Sequence, residues 1–470
     1  MTLRLYDTRT RAVQPFEPVA AGRAGVYVCG PTVQAAPHVG HLRSAVALDV
    51  LHRWLREKGL QVTWVRNVTD VDDKILHDAA HAGEPWWALA TRQERAFERA
   101  YDAVQVLPPT ATPRVTGSIP SIVALVQRIL DKGHAYESDG DVYLAVRTVA
   151  GYGALSGQDP DALRAGEKPV AHGHTGAKRD PLDFALWKAA KPGEPSWPSP
   201  WGSGRPGWHI ECSAMAVDHL GEQFDLHAGG LDLVFPHHEN EVAQSTCAGH
   251  PFARRWLHHG LVTVAGGSGE KMSKSLGNST TVADVLQAVR PQVLRYVLGA
   301  AHYRSSLEWS PQALADGEAA YGRLETFVRN ATARVGTDLP EADSPAWDDF
   351  AAALDDDLGV PQALAVVHTS VRVGNALLAD RDLPALAAVL ADVRRMLRVL
   401  ALDPVDQWPA ADADLASVLD ALVGVAVEAR AEARARKDWA AADAVRDRLA
   451  AAGVVLEDTP DGVRWRLEAR

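Results

Sequence analysis

The sequence predicts an α/β protein with a doubly wound parallel sheet that carries an insertion, followed by a helical bundle and a small C-terminal α+β unit. Near the N-terminus, a buried strand ending at Val28, a helix over residues 40–58 and a second strand over residues 62–66 make the strand–helix–strand unit with which such sheets begin. Residues 279–400 are rich in alanine and leucine and almost wholly helical in pattern, which is typical of a bundle. The chain ends with a charged helix and two short strand-like segments.

Length and composition indicate a globular protein of several domains. A chain of 470 residues is long enough for about three domains, because a single hydrophobic core rarely supports more than ~250–300 residues. No apolar run approaches the ~20 residues that span a bilayer, the N-terminus lacks the features of a signal peptide, and three cysteines are too few for a disulfide framework. We therefore expect a cytoplasmic protein without membrane contact. With a formal net charge of -12, a nucleic-acid partner would need a local basic surface.

The first helix starts with two histidines, His38 and His41, separated by Val39 and Gly40. Exposed amides and the helix dipole make a helix N-terminus a natural phosphate site, the histidines add two donors, and glycine lets a planar base come close. The alternative is that both histidines are surface residues at a helix start. A four-residue pattern alone does not decide between the two.

The region after the second strand changes character. Residues 67–74 are polar, as in a turn that caps the next helix. Residues 113–205 are interpreted as an insertion, with a helix over 119–130 and a strand-like segment over 141–146. The Pro-, Gly- and Trp-rich tract 187–208 predicts an irregular connection.

The sheet is expected to resume from Trp208 and to continue to Asp232. Gly229 and Gly230 precede this aspartate as in a nucleotide-binding turn, where glycine permits close approach and a carboxylate bonds ribose hydroxyls. Asp is also a favoured N-cap residue, so a helix cap is an equally good interpretation of Asp232.

Two lysines, Lys271 and Lys274, lie in a glycine-flanked loop over residues 269–278. Such a loop is able to close over a triphosphate. Of the two, Lys274 is the stronger candidate.

The C-terminal region begins after a boundary near residues 403–414. We predict one charged helix over 415–451 and a hairpin formed by 454–456 and 463–466. A basic face and a stacking ring would be formed by Arg430, Arg434, Lys437, Arg464, Trp465 and Arg466. These cations could bind RNA, or they could form a solvated face paired with Glu428, Glu432 and Asp438.

Four residues, Cys29, Cys212, His237 and Glu241, offer soft, borderline and hard donors that zinc accepts together. His237 and Glu241 are one helical turn apart, so their side chains can converge, whereas the fold must bring in the cysteines. Buried cysteines are more often small core residues than ligands, and Cys247 is left in that category. His238 and Glu239 are weaker candidates because they point elsewhere on the helix.

Taken together, these segments resemble a known family. The two phosphate motifs, His38-Val39-Gly40-His41 and Lys271-Met272-Ser273-Lys274-Ser275, are the paired signature of the class I aminoacyl-tRNA synthetases. The sequences of residues 27–32, 207–213 and 235–241 are similar to those of the cysteinyl-tRNA synthetase family, and the resemblance covers essentially the whole chain. The chain differs from the usual sequence of the family at Gln34, Ala35, Ala36, Pro37 and Val39, which puts the fine geometry of the pocket in doubt.

The resemblance implies a class I Rossmann-like catalytic domain over residues 1–315, a helical bundle over 316–405 and an anticodon-binding domain over 406–470. It implies that cysteine is activated with ATP to cysteinyl adenylate and is then transferred to the 3′ end of tRNA(Cys). The implied partners are L-cysteine, ATP with Mg²⁺ and tRNA(Cys), and the implied cofactor is one Zn²⁺ per chain. We expect a monomer.

The resemblance also assigns roles to individual residues. The zinc ligands would be Cys29, Cys212, His237 and Glu241. The catalytic residues would be His38, His41, Lys271 and Lys274. The ATP contacts would be Gly40, Gly230, Asp232 and Lys274. The cysteine pocket would be lined by Thr69, Trp208 and His227, although the last two could equally be ordinary core residues.

A zinc-bound thiolate would explain why no editing domain is needed. Serine offers a harder and more basic ligand and alanine offers none, whereas hydrophobic pockets separate near-isosteres only about a hundredfold. Two rival functions stay open at this point: an amide ligase similar to mycothiol ligase, which would pass the same adenylate to a sugar amine, and a zinc-stabilised RNA-binding protein without catalysis. The C-terminal region favours the synthetase over the first, and the phosphate motifs speak against the second.

Overall fold

The protein is described from a computed structural model. The structure describes residues 2–161, 178–264, 280–341, 344–406, 408, 412–459 and 462–467. The chain forms two compact units, Met1–Gln407 and Trp408–Arg470. None of the described helices combines the length and apolar character that a membrane crossing requires.

The described elements are numbered in chain order. The strands are β1 Arg4–Asp7, β2 Ala12–Pro15, β3 Arg23–Val28, β4 Gln61–Arg66, β5 Ala135–Ser138, β6 Asp141–Leu144, β7 Phe184–Ala189, β8 Gly204–Pro206, β9 Gln223–Gly230, β10 Phe252–His259, β11 Val262–Val264, β12 Leu307–Trp309, β13 Val454–Thr459 and β14 Gly462–Leu467. The helices are α1 Val39–Glu57, α2 Asp73–Ala82, α3 Trp86–Ala103, α4 Ile119–Asp131, α5 Trp208–Leu220, α6 Glu239–Ala248, α7 Val282–Ala288, α8 Pro291–Ala300, α9 Pro311–Val335, α10 Pro345–Asp355, α11 Val360–Asp380, α12 Leu383–Leu400, α13 Asp412–Ala435 and α14 Trp439–Ala451.

A four-stranded parallel sheet in the order β10-β9-β3-β4 forms the centre of the first unit, as the sequence predicts. The strands are buried on both faces. Val26 and Val28 of β3 pack in one core with α1 and α3, whereas Tyr27 packs in a second core with α4, α5 and α6. Because the strands are parallel, their carboxyl ends lie at one edge of the sheet, where ligands bind in such folds.

The insertion contains α4, as predicted, and an antiparallel sheet in the order β5-β6-β7-β8. The prediction of an irregular connection over 187–208 is wrong at both ends, because Trp187 pairs with Pro206 and Ala189 pairs with Gly204. A side chain at Gly204 would meet the Lys188 carbonyl oxygen at 2.3 Å, so the glycine in this tract permits close strand pairing rather than a turn.

The main sheet does not resume at Trp208. This residue begins α5, and the strand β9 starts only at Gln223. The helix was missed because its residues 209–216 are all buried, so its sequence shows little of the apolar and polar alternation that marks an amphipathic helix.

A helical bundle, α9 to α12, follows the sheet, and its apolar faces join the core that α1 lines. Buried polar contacts hold α1 against neighbouring helices. Arg295 of α8 pairs with Asp49 at 2.5 Å and also donates to the Leu400 carbonyl at 2.8 Å. Asp355 of the bundle accepts hydrogen bonds from Trp54 at 3.0 Å and Lys58 at 2.9 Å. The helix that carries the paired histidines is therefore anchored along its length.

The second unit contains α13, α14 and the antiparallel pair β13–β14, which confirms the predicted hairpin. The prediction of a single helix over 415–451 is wrong. Lys437 has a left-handed φ of 61° between the two helices, and the Asp438 side chain caps α14 by accepting from the Ala441 amide at 3.0 Å. Lys437 consequently does not share a helix face with Arg430 and Arg434. The Trp465 ring N–H donates to Asp420 at 2.9 Å.

Candidate active site and metal centre

The N-terminus of α1 opens onto the carboxyl edge of the sheet, and His38 is its N-cap residue. His38 Nδ1 accepts from the Gly40 amide at 3.1 Å, and His41 Nδ1 accepts from the His38 amide at 3.2 Å. The two rings stack with centroids 3.8 Å apart. Because each ring accepts at Nδ1, its neutral form carries the proton on Nε2, and Nε2 is the atom that can donate to a ligand.

Two glycines allow close backbone approach at this edge. A side chain at Gly40 would meet His38 Cε1 at 2.9 Å, and one at Gly230 would meet Asp232 Oδ1 at 2.4 Å. Asp232 lies inside a short 3-10 turn whose N-cap is Gly230, so it does not cap that turn. Together with His41, these four residues line a cavity of about 900 Å³.

The predicted metal donors come from four separate segments of the fold and lie close together. Cys29 follows β3, Cys212 lies on α5, His237 lies in a π-helical turn over Val234–His238, and Glu241 lies on α6. Their donor atoms all lie within 4.8 Å of one another. The Cys29 Sγ to Cys212 Sγ distance is 3.7 Å, and the His237 Nε2 to Glu241 Oε1 distance is 3.2 Å.

The electrostatics of this cluster suit a divalent cation. The hydrogen bond from Cys29 lowers the pKa of Cys212 well below that of a free thiol, whereas burial and the bond to Cys212 raise the pKa of Cys29. Burial and the negative Cys212 sulfur raise the pKa of Glu241 well above its usual value. Neighbouring acidic groups in a buried site cannot all ionise unless a positive charge lies close to them. Two sulfurs, an imidazole and a carboxylate are donors that zinc accepts, so the residues fit that ion.

Two histidines orient the donors. His209 Nδ1 lies 2.9 Å from His237 Nδ1, on the side of the ring away from Glu241. His227 Nε2 lies 2.9 Å from Glu241 Oε2. Such outer contacts fix the orientation of metal ligands. His227, which the resemblance assigns to the cysteine pocket, is fully buried behind Glu241 and is not among the residues that line the cavity.

From the sequence, His238 is a weaker candidate because it would point elsewhere on the helix, and the structure corrects that orientation. Its Nε2 lies 3.3 Å from Cys29 Sγ, and with Cys29, His227 and Glu241 it forms a second group of donors within 4.8 Å. The π-helical turn breaks the regular helical spacing on which the prediction relied. Glu239, in contrast, turns away and accepts from the Gly153 amide at 2.9 Å.

The proposed cysteine pocket lies beside the metal donors. Thr69 is buried and its hydroxyl donates to Glu211 Oε2 at 3.1 Å. The Trp208 ring centroid lies 4.4 Å from that of His237. Both Thr69 and Trp208 line the cavity that the α1 histidines also line. Glu211 was not identified from the sequence, where nothing distinguishes it from other acidic residues of the chain.

Lys271 and Lys274 lie outside the described residues. The described residues that flank their segment contribute to the site. Val262 lines the cavity, and the Thr280 carbonyl accepts from the Val39 amide at 3.2 Å.

Comparison with known proteins identifies related families. A model described as "tRNA synthetases class I (C) catalytic domain" matches residues 15–319. A DALR domain matches residues 349–402, and a "Cysteinyl-tRNA ligase anticodon binding domain" matches residues 417–466.

Similar curated proteins come from streptomycetes. A cysteine-tRNA ligase of Streptomyces griseus is 53% identical over 476 residues, which cover 100% of both chains. Another, of Streptomyces coelicolor, is 54% identical over 475 residues that cover 100% of this chain and 76% of the relative. Among solved structures, Mycobacterium tuberculosis methionyl-tRNA synthetase in complex with methionyl-adenylate matches with a TM-score of 0.60 and 17% identity, covering 81% of this chain and 90% of that chain. This structural likeness supports the fold.

Proposed function

The chain belongs to the cysteinyl-tRNA synthetase family of class I enzymes and is a cysteine-tRNA ligase, and on that premise we propose which residues perform each part of the reaction. Its substrates are cysteine, ATP and tRNA. The proposal rests on one observation. The donor atoms of Cys29, Cys212, His237 and Glu241 all lie within 4.8 Å of one another, and this cluster contacts residues that line the same cavity as the α1 histidines.

We propose that these four residues hold one zinc ion. When bound, zinc would stabilise the substrate side chain as a thiolate, which a free thiol with a pKa of about 8.5 forms only partly at neutral pH. His209 and His227 would keep the His237 ring and the Glu241 carboxylate in position. Thr69 and Trp208 would bound the pocket around the cysteine. Serine and alanine would be rejected for lack of a suitable sulfur.

In the first step, the cysteine carboxylate attacks the α-phosphate of ATP, which gives cysteinyl adenylate and pyrophosphate. We assign the Nε2 donors of His38 and His41 and the positive end of the α1 dipole to the phosphates. Lys271 and Lys274 are proposed to neutralise the leaving pyrophosphate, with Mg²⁺ carried by ATP. Gly40 and Gly230 would admit the nucleotide, and Asp232 would bond its ribose.

In the second step, the terminal ribose hydroxyl of tRNA attacks the acyl carbon of the adenylate, and AMP leaves. The residues assigned to the first step come from one chain, so a monomer suffices for it. We propose the cytoplasm as the compartment, because tRNA is charged there. Residues 406–470 are proposed to bind the anticodon, in keeping with the family model that matches 417–466.

The purified enzyme is expected to contain about one zinc per chain, measured by elemental analysis. Chelation should abolish cysteine-dependent exchange of pyrophosphate into ATP, and added zinc should restore it. The absorption spectrum of a cobalt-substituted enzyme should shift when cysteine, but not serine, is added. A fully active enzyme without metal, or a spectrum that cysteine leaves unchanged, would contradict the proposal.

A further inference from the structure

The connection between α10 and α11 holds two consecutive residues in the left-handed region, Asp357 with a φ of 54° and Leu358 with a φ of 55°. Neither is a glycine, and both are buried, with 4% of Asp357 and 1% of Leu358 exposed. Gly359, which could adopt a left-handed φ without strain, follows them with a φ of -66°. Because strained backbone persists only where surrounding contacts enforce it, the contacts of Asp357 indicate what the strain is for.

The Asp357 carboxylate accepts from three donors that lie outside the bundle. Oδ1 accepts from the Tyr303 hydroxyl at 2.7 Å and from the Tyr6 amide at 2.8 Å, and Oδ2 accepts from Arg304 Nε at 2.8 Å. Tyr303 and Arg304 belong to a turn over residues 301–305, which lies between α8 and β12. Asp357 therefore fastens this turn to the bundle.

The turn over residues 301–305 supports one wall of the cavity. The Tyr303 carbonyl accepts from the Gly260 amide at 2.8 Å, and a side chain at Gly260 would meet the Ser305 carbonyl oxygen at 2.3 Å, so the two backbones are in direct contact. The residues of this wall that line the cavity are Gly260, Leu261 and Val262. A single residue, Tyr303, thus connects Asp357 with the cavity wall.

The strand β11 depends on the same turn. It pairs in parallel with β12, which follows the turn, and within the described part of the chain it pairs with no other strand. The Leu307 amide also donates to the Leu261 carbonyl at 2.9 Å. Lys271 and Lys274 follow β11 in the sequence. A shift of the turn would therefore move the strand that precedes the two lysines.

The same region of the chain is bonded to α1. Arg43, two residues after His41, is buried and donates to the carbonyls of Leu298 at 2.5 Å and His302 at 2.8 Å. The histidine end of α1 and the wall formed by residues 260–262 are consequently held against one segment. Their spacing matters because a displacement of ~1 Å in positioned groups can slow a reaction ~100-fold.

We propose that Asp357 is a positioning residue for adenylate formation, which holds the wall formed by residues 260–262 at its working distance from the α1 histidines. This proposal rests on the proposed function, which assigns the α1 histidines and the lysine pair to the phosphates of ATP. Asp357 does not line the cavity and acts through Tyr303. Because the metal donors come from other segments, the effect should fall on the reaction of ATP and not on cysteine binding.

The test measures single-turnover adenylate formation and pyrophosphate exchange by full-length Asp357→Asn, with ATP and cysteine varied separately. The rate of adenylate formation at saturating substrates should fall about tenfold. Zinc content should stay at the wild-type level, and the KM for cysteine should change by less than about twofold. Tyr303→Phe, which removes one of the three donors, should lower the rate about threefold. This substitution should cost less in the Asp357→Asn background than in wild type, because both act on one contact.

Asp403→Asn is the matched control. Asp403 is also a buried carboxylate that accepts from an arginine, Arg394 at 2.9 Å, and from a backbone amide, that of Val405 at 3.2 Å. This substitution should destabilise the protein and leave the rate of adenylate formation unchanged. Thermal unfolding verifies that each variant is folded under the assay conditions, and Tyr303→Phe carries the test if Asp357→Asn does not fold.

An unchanged rate of adenylate formation in folded Asp357→Asn would overturn the proposal. So would an equal loss in Asp403→Asn, or a loss of cysteine binding as large as the loss of rate, since either would indicate a general loosening of the fold. The proposed function is tested separately, because the zinc dependence of exchange by the wild-type enzyme does not involve Asp357.

Discussion

At the scale of single residues, the chemistry of this protein depends on how burial changes ordinary side chains. Cys212 and Cys247 are both buried, but their surroundings have opposite effects. Burial alone raises the pKa of Cys247 to about 11, whereas the hydrogen bond from Cys29 lowers that of Cys212. Of these two cysteines, Cys212 is therefore the one suited to bind a cation as a thiolate.

Replacing Cys212 by serine should remove one soft donor from the cluster. We expect zinc content to fall and the KM for cysteine to rise at least about tenfold, with a smaller change in the KM for ATP, because the cluster lies at the proposed side-chain end of the pocket. Metal analysis and pyrophosphate exchange at varied cysteine and ATP would measure this.

Cys247→Ser is the control for this substitution, because it exchanges the same atoms at a buried position away from the donors. It should retain zinc and the cysteine KM. Equal losses of cysteine and ATP binding in Cys212→Ser would speak against a metal at the cysteine side chain.

At the scale of secondary-structure elements, the insertion is attached to the elements that surround the site. Asp73, the first residue of α2, pairs with Lys188 of β7 at 2.6 Å and with Arg205 of β8. Glu239, beside the metal donors, accepts from the Gly153 amide at 2.9 Å and the Ser156 amide at 2.7 Å. These contacts hold the antiparallel sheet and the connection between β6 and β7 against the site.

Asp73→Asn should destabilise the protein in a pH-dependent way. Although burial raises the pKa of Asp73, Lys188 and Arg205 outweigh it and lower the pKa to about 2 from 3.8. Stability from the ionised carboxylate is thus present above about pH 4 and is lost as the pH falls toward 2. Because Asp73 is partly exposed, we expect a loss of only about 1 kcal/mol near pH 6, from urea unfolding.

The difference between wild type and Asp73→Asn should narrow as the pH is lowered from 6 to 3. Asp102→Asn, at an exposed position on α3, should match wild type throughout this range. A difference that is constant with pH would mean that the Asp73 ion pairs do not contribute.

At the scale of the whole molecule, the described chemistry lies in one of the two compact units. The four metal donors and the cavity all lie within Met1–Gln407. The family model for anticodon binding matches residues 417–466, which lie in the other unit. Amino-acid activation and tRNA recognition are therefore expected to be separable.

A chain ending at residue 407 should keep cysteine-dependent pyrophosphate exchange within about threefold of the full-length enzyme, because every described site residue is retained. Charging of tRNA at low tRNA concentration should fall by at least about tenfold, since anticodon contacts would be lost. Circular dichroism and thermal unfolding would verify the fold of the shortened chain. Undiminished charging of tRNA would contradict this assignment of activation and tRNA recognition to separate units, as would loss of pyrophosphate exchange in a folded chain.

Local patterns predicted the parts of the fold that local physics controls. The strand–helix–strand unit around α1, the helix α4 and the C-terminal hairpin are each read from neighbouring residues, and the structure confirms them. The predictions that failed concerned segments whose structure depends on packing against distant parts of the chain. The fully buried α5 lacks an amphipathic pattern, and the pairing of Trp187 with Pro206 joins residues that a local reading treats as one irregular tract.

The sequence alone was sufficient for the family, the fold class and the identities of the four proposed metal donors, because short motifs preserve residue type and order. It could not show that His238 faces Cys29 or that His227 stands behind Glu241. Those relations depend on which faces of distant elements meet. Burial, hydrogen-bond direction and the shape of a cavity are properties of packing between segments, so only the tertiary structure could decide them.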